Sequence, residues 1–375
     1  MYVFEDRKLS ASIIHAGTGQ LLRKLRGAAR VLRTGGPSAL LGETRTRVAR
    51  VARGRAIGNQ FARFAHYRHT DGEVIPLYAG YRDYLKPLHV LAHATAEGTA
   101  RYVRDNRQLH VDASGLGGAA NFLTLLGELG VTVAGKRILD VGCGDGALAF
   151  LMSACGAEQV SGIELGEPLD HWNPAHIKIL VECVAALPYR AIVRRTDFEQ
   201  RVNLSIMDVM RPTTEAKFDL ILSNSVLEHV VDLRSGLAAM AELLNPHGTM
   251  VHVFNPFFSE NGGHEWCILD FPWGHVRLTR DEILEYLDTY RGWEKARAIA
   301  EFDSAFNEPK LSLKEIDEIA KNLGLRCDRA MERRSFWWKP DSDPERMLSQ
   351  CRRSYPNVMW ADLASDVVTR VWTKE

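Results

Sequence analysis

The chain has 375 residues, 46% hydrophobic and 25% charged, the balance of an ordinary globular protein with room for one large domain or two. Its 47 basic and 47 acidic residues cancel, so the molecule as a whole is not built to bind polyanions. Six scattered cysteines without a Cys-x-x-Cys pair suggest neither a zinc site nor a disulfide framework, and no apolar run reaches the 18 residues of a membrane span.

The charge is uneven along the chain. Ten basic residues stand between Gln20 and Arg55, and Glu43 is the only acid among them. Leu21, Leu22, Leu25, Ala29 and Leu32 recur at helical spacing, which predicts a basic amphipathic helix that Thr34–Ser38 breaks. Residues 1–60 are therefore expected to form an extension. It can lie on an anionic membrane surface, meet a protein partner, or pack its arginines on its own domain. Few aromatics accompany the arginines, which argues against nucleic acid as the partner. Glu5 and Asp6 interrupt the hydrophobic start, so no signal peptide is expected. The expected compartment is the cytoplasm, with the inner membrane face as a peripheral station. Residues 61–130 are expected to be a mainly helical cap, with Tyr67, Tyr78, Tyr81 and Tyr84 near its start. Asn121–Leu129 is expected to be the helix before the first strand of the domain that follows, residues 131–375.

That domain opens on Ile138-Leu139-Asp140-Val141, an apolar run that predicts a buried strand. It stops at Gly142-Cys143-Gly144-Asp145-Gly146, and an apolar helix is expected over Ala147–Ala154. A strand turning through glycines into a helix offers bare backbone N–H groups to a ligand. Gly142, Gly144 and Ala147 fit a dinucleotide pattern, and Glu164 lies 20 residues beyond Gly144, where a ribose ligand is expected. Asp140, two residues before the first glycine, shifts the weight elsewhere.

The run Asp140-x-Gly142-x-Gly144 resembles motif I of the class I S-adenosylmethionine-dependent methyltransferases. Three further segments resemble that family in its order. Gln159–Glu164 reads as a second strand ending in an acid, which in the family binds both ribose hydroxyls. Leu204–Val209 reads as a third strand end, with Asp208 matching the acid that contacts the adenine amino group and Val209 beside it. Phe218–Val230 matches the fourth strand, carrying Ser223, and the loop below the transferred methyl, carrying His229. The resemblance implies S-adenosylmethionine as cofactor. It also implies a Rossmann-like α/β sheet of seven strands whose last strand runs antiparallel. Asp140, Glu164 and Asp208 at successive strand ends suit a ligand, because open α/β sheets bind at the carboxyl ends of their strands. A nicotinamide reductase is disfavoured by Asp140. A non-catalytic scaffold has no need of Asp140, Gly142, Gly144 and Glu164 together.

Thr249–Asn255 is expected to be the fifth strand, after an Asn245–Gly248 turn. A substrate insertion then follows, over about residues 256–310. Thr279 and Ser312 are expected to cap helices, and Arg326–Glu332 and Val367–Thr373 to close the sheet. Methyl transfer to a hydroxyl is helped by a base, and His264 and His275 of the insertion are the candidates. His229, Trp266 and Trp273 are expected to contact the acceptor. No spacing such as H-E-x-x-H marks a metal site, and none is expected. The acceptor is expected to be a small molecule or glycan, with a saccharide oxygen favoured by the tryptophans, the histidines and the basic extension. That extension is similar in composition to the leaders of bacterial glycan-assembly enzymes. A small-molecule natural product is the alternative acceptor.

Overall fold

The computed structural model describes residues 61–85, 116–166, 198–264, 266–334 and 343–375. The expected amphipathic extension and residues 86–115 of the expected cap lie outside these. Seven of the described strands form one sheet. They are β3 (Arg137–Val141), β4 (Gln159–Glu164), β5 (Val202–Ile206), β6 (Phe218–Asn224), β7 (Leu244–Phe254), β8 (Leu325–Arg334) and β9 (Ser365–Lys374). Their order is β5-β4-β3-β6-β7-β9-β8. Strands β3 to β7 pair in parallel, and β9 runs antiparallel to both β7 and β8. This is the Rossmann-like, seven-stranded arrangement expected from the sequence.

The central parallel strands β3 and β6 are buried on both faces and read as apolar runs, whereas β5 at the edge is half exposed. In β3, Ile138 joins a core with Leu123, Leu126 and Phe122 of the helix Leu116–Glu128 and with Leu151 of the helix Ala147–Ala154. Its neighbours Leu139 and Val141 point the other way, into a core with Leu237 and Met240 of the helix Leu233–Leu243 and Ile316 and Ile319 of the helix Leu313–Asn322. Each fully buried aliphatic side chain of this kind contributes about 1.5–3 kcal/mol. The Asn245–Gly248 turn proves to be an irregularity inside β7. Pairing with β6 passes from Phe218↔Leu244 to Leu220↔Thr249, and His247 takes a φ of 60°.

The expected helical cap is corrected at its start. β1 (Arg63–Arg68) and β2 (Val74–Tyr78) form an antiparallel hairpin, followed by the short helix Tyr81–Leu85. The turn is set by Asp71 Oδ1, which accepts the Glu73 N–H at 2.8 Å, and by Gly72 at φ 85°. Ile75 and Leu77 are buried while Val74 is exposed, the two-residue alternation of a strand with one covered face.

The insertion after β7 covers that face. It holds the helices Gly274–Arg277, Arg280–Tyr290 and Lys295–Ser304. Leu269, Phe271, Tyr286 and Leu287 pack with Tyr67, Ile75 and Leu77 of the hairpin in a separate core. Backbone joins them too, the Tyr78 N–H donating to the Asp270 carbonyl at 2.9 Å. Thr279 and Ser312 cap their helices as expected, each in a reciprocal box with the glutamate three residues on. Such a cap stabilises its helix by about 1 kcal/mol. No helix of the described residues is long and apolar enough to cross a membrane.

Candidate active site

A cavity of about 350 Å³ opens at the carboxyl ends of β3 to β6, lined by residues that include Val141, Gly142, Glu164, Asp208, Val226 and His229. Its position follows from the topology. β3 and β6 are neighbours in the sheet, and the chain leaves them toward opposite ends of it, which opens a crevice between their outgoing loops.

The floor is the glycine turn. Gly142, Gly144 and Gly146 take φ values of 69°, 54° and 78°, a region that costs other residues about 1–2 kcal/mol. At Gly142 space is also lacking, since a Cβ there would stand 2.3 Å from Val226 Cγ2. The turn is pinned to β4, with the N–H groups of Gly142 and Cys143 donating to the Ile163 carbonyl at 2.8 and 3.1 Å. Cys143 is buried, and burial pushes its thiol up to about 12, so it fills space and is no nucleophile.

The acids hold distinct positions. Glu164, at the end of β4, accepts the Gly144 N–H at 3.0 Å and the Leu165 N–H at 2.9 Å, one on each carboxylate oxygen. Those two bonds fix the carboxylate at the mouth of the cavity. Asp208 lies two residues beyond β5, where its Oδ1 accepts the Met210 N–H at 2.9 Å. Val209 lines the cavity beside it. Asp140 is 3% exposed, and its Oδ2 has no hydrogen-bond partner. Burial, and then the charges of Glu164 and Asp145, push its carboxyl up to about 8. An orphaned buried oxygen and a glycine cradle that a Cβ would fill both fit a cofactor with a cationic end beside the turn.

Ser223 is corrected. It is fully buried in β6, with its Oγ 2.8 Å from His252 Nδ1, and it does not line the cavity. The next residues do: Asn224, Ser225 and Val226. Ser225 holds a φ of 57° and donates its N–H to the Val253 carbonyl at 2.7 Å. Such left-handed backbone at a non-glycine residue is unusual and gathers at functional sites, and no sequence signal marks it.

The insertion residues divide. His275 is 1% exposed and its Nε2 is 2.9 Å from the Phe257 carbonyl; burial lowers its imidazole to about 4. Those contacts place it in the packing of the insertion, away from any acceptor. Trp273 is likewise buried, donating its indole N–H to the Leu363 carbonyl at 2.9 Å. Trp266 packs against the hairpin core, with the Arg297 guanidinium 5.0 Å above its ring. Neither tryptophan lines the cavity. His264 does not line the cavity either, but it packs against His229, which does. Its ring centre is 4.8 Å from that of His229, and Phe306 lies against both. Burial first, then His229 and His275, lower the His264 imidazole to about 4, so it is neutral at physiological pH. The residue missed by sequence reasoning is Glu228. It is 2% exposed, its Oε2 has no hydrogen-bond partner, and burial pushes it up to about 7.

A mixed sheet of this order, with a glycine turn after its first parallel strand and acids at the next two strand ends, defines the class I methyltransferase fold. The comparisons agree. Residues 117–296 match the model of a methyltransferase domain family. A ubiquinone biosynthesis O-methyltransferase of Aromatoleum aromaticum is 34% identical over 175 residues, 44% of this chain and 68% of that protein. The namesake of Photobacterium profundum is 38% identical over 128 residues, 34% of this chain and 46% of that protein. That of Stutzerimonas stutzeri is 34% identical over 119 residues, 32% of this chain and 44% of that protein. The chain spans under half the length of the latter two. A solved S-adenosylmethionine-dependent methyltransferase from Mesorhizobium loti aligns with 69% of this chain and all of its own, at 17% identity and a TM-score of 0.38. The chain belongs to the class I S-adenosylmethionine-dependent methyltransferases, and S-adenosylmethionine is the cofactor of that class.

Proposed function

We propose that this chain transfers a methyl group from S-adenosylmethionine to an oxygen of a small-molecule acceptor. The observation that carries the reading is the single cavity onto which Gly142, Glu164, Asp208 and His229 all open. When bound, the cofactor supplies a methyl already activated by its sulfonium, so the protein's work is to position, to exclude water and to handle one proton. Glu164, held by two backbone N–H groups, is oriented to accept both hydroxyls of a ribose. Asp208 on the cavity wall would take the adenine edge, and Asp140, buried behind the glycine turn with an unpartnered oxygen, would answer the cationic methionine end. His229 lines the same cavity, and the His264 ring packs against it at 4.8 Å between centres. An imidazole lone pair there can take up the hydroxyl proton as the oxygen attacks the methyl carbon.

Oxygen as the acceptor atom is supported by the relatives named as O-methyltransferases. A saccharide acceptor loses the support of Trp266 and Trp273, which serve the packing of the insertion. The test is transfer of labelled methyl from S-adenosylmethionine to a panel of phenols, catechols and sugars. Label is expected in a hydroxylated non-sugar product. Calorimetry is expected to show S-adenosylhomocysteine binding, weakened by about 1–3 kcal/mol in Glu164→Ala. Binding of NADH without binding of the adenosyl compound would overturn the reading.

A further inference from the structure

We propose that Glu228, His229 and His264 form a site for a divalent transition-metal ion at the rim of the cofactor cavity. The ion's open positions take the acceptor oxygen, a role that rests on the function proposed above. The three side chains come from two places in the chain. Glu228 and His229 sit in the turn after β6, and His264 sits in the first loop of the insertion. One ligand atom from each lies within 4.8 Å of the other two. Bonds of about 2.0–2.2 Å to a shared ion place ligand atoms about 3–4 Å apart. Closing on an ion would draw the three ligand atoms together by about 1 Å.

Two independent features prepare these side chains for an ion. His229 Nδ1 lies 2.5 Å from the Ala305 carbonyl oxygen. A carbonyl only accepts, so Nδ1 carries the proton and donates it, and Nε2 is left with its lone pair. A ring N–H tied to a carbonyl is the usual support behind a metal-bound histidine. Glu228 shows the complementary pattern. Its Oε1 accepts the Asn255 N–H at 3.1 Å, while its Oε2 is buried without a hydrogen-bond partner. Burying such an oxygen unpaired is costly, and a cation would remove the cost.

The loop that brings His264 is built for close approach. His264 holds a φ of 51°. At Gly262 a Cβ would stand 2.2 Å from the Pro256 carbonyl oxygen, and at Gly263 3.0 Å from His275 Cγ. These contacts leave His264 little freedom to move away from His229. His275 therefore has a role other than that of base, because its packing holds the loop that carries His264.

The donor set selects the ion. Two imidazoles and one carboxylate suit Zn²⁺, Mn²⁺, Co²⁺ or Fe²⁺, whereas Mg²⁺ prefers oxygen ligands and retains its waters. Three protein ligands leave positions open for another oxygen. A hydroxyl bound there loses its proton more readily, as metal-bound water does. The oxygen then attacks the methyl carbon, the carbon–sulfur bond breaks with its electron pair going to sulfur, and the proton goes to solvent.

The test strips the full-length protein with a chelator, removes the chelator, and titrates Zn²⁺, Mn²⁺ and Mg²⁺ separately by calorimetry. One Zn²⁺ or Mn²⁺ per chain is expected, with Mg²⁺ at least tenfold weaker. Glu228→Gln and His264→Asn should each weaken Zn²⁺ binding by 10-fold or more. Glutamine keeps the bond to Asn255, and asparagine tolerates the left-handed backbone. Retained binding of S-adenosylhomocysteine will show that both variants fold. Co²⁺ added to the stripped protein should give visible absorption that both variants lose. No bound ion, or binding that neither variant weakens, overturns the site. Methyl transfer that persists undiminished in excess chelator overturns the role in acceptor binding. Stoichiometric metal with no acceptor methylated supports the site while counting against the proposed function.

Discussion

Gly142→Ala tests whether the glycine turn is dictated by space as well as by backbone conformation. Two costs combine. The residue holds a φ of 69°, which costs an L-residue about 1–2 kcal/mol. The new Cβ would also stand 2.3 Å from Val226 Cγ2 and 3.0 Å from Cγ1, an overpacking worth about 1–3 kcal/mol. The single substitution should therefore destabilise the protein by about 2–5 kcal/mol. Val226→Ala removes both offending methyl groups and leaves the Val226 Cβ at 3.2 Å. Alone, it should cost on the order of 1–1.5 kcal/mol, because both carbons are only partly buried. In the double variant the two methyl clashes are gone, a tight contact to the Val226 Cβ at 3.2 Å remains, and the backbone strain stays. The two substitutions should then couple favourably by about 1–3 kcal/mol. The assay is urea denaturation of the four proteins without cofactor. Gly144→Ala is the control, since its φ is 54° but nothing lies within 4 Å of the new Cβ. It should show the strain alone and no coupling to Val226→Ala. Coupling within 0.5 kcal/mol of zero at Gly142 would refute the steric argument, since independent sites add within that margin.

Three further outcomes are expected. Asp140, pushed up to about 8, keeps its proton where the unfolded chain near 4 has lost it. Its contribution to stability is thus full below about pH 4 and declines as pH rises toward 8, so Asp140→Asn should gain on the wild type over that range in denaturation midpoints. The same ionisation should make S-adenosylhomocysteine affinity rise between pH 6 and 8 by up to tenfold per unit, and a slope unchanged in Asp140→Asn would show that Asp140 is not its source. His275→Ala should lower stability by about 1–3 kcal/mol with cofactor affinity unchanged, and lost turnover at full stability and full metal binding would return His275 to the chemistry. Removal of residues 1–55 should abolish sedimentation with anionic vesicles at low salt, and a full-length protein that never sediments with them would set the membrane role of the extension aside.

The sheet was legible because its strands are short apolar runs ended by chemistry. Ile138–Val141 stops at a glycine turn and Gln159–Glu164 at an acid, and a short apolar run bounded in this way reads as a strand. The carboxylates proposed to hold the cofactor were chosen by the same logic. Ser223 misled because a hydroxyl at a strand end looks available, and only the register with β7 shows that it faces His252. The hairpin Arg63–Tyr78 was missed although its signals are present: the Asp71-Gly72 turn and the alternation of Ile75 and Leu77. Both signals, and the nearby tyrosines, which favour strands, were passed over in expecting residues 61–130 to be mainly helical. The metal-binding cluster was not legible at all. Glu228 and His264 are 36 residues apart, with β7 between them, and only the path of the insertion brings them together.

The place of β9 between β7 and β8 has a consequence for how the protein is made. From Phe254 to Ser365 the ribosome adds the whole insertion and β8 before the strand that covers the outer edge of β7 exists. At roughly 5–20 residues per second, that interval is on the order of ten seconds. Through it, the β7 edge carries unpaired N–H and C=O groups beside an apolar face, the kind of edge on which chains aggregate. β8 cannot cover it, because its pairing partner is β9 alone. Translation speed over the last third of the message, and chaperones that hold nascent chains, therefore bear on how long that edge stays open. A fusion or tag that slows emergence of Ser365–Lys374 prolongs that exposure.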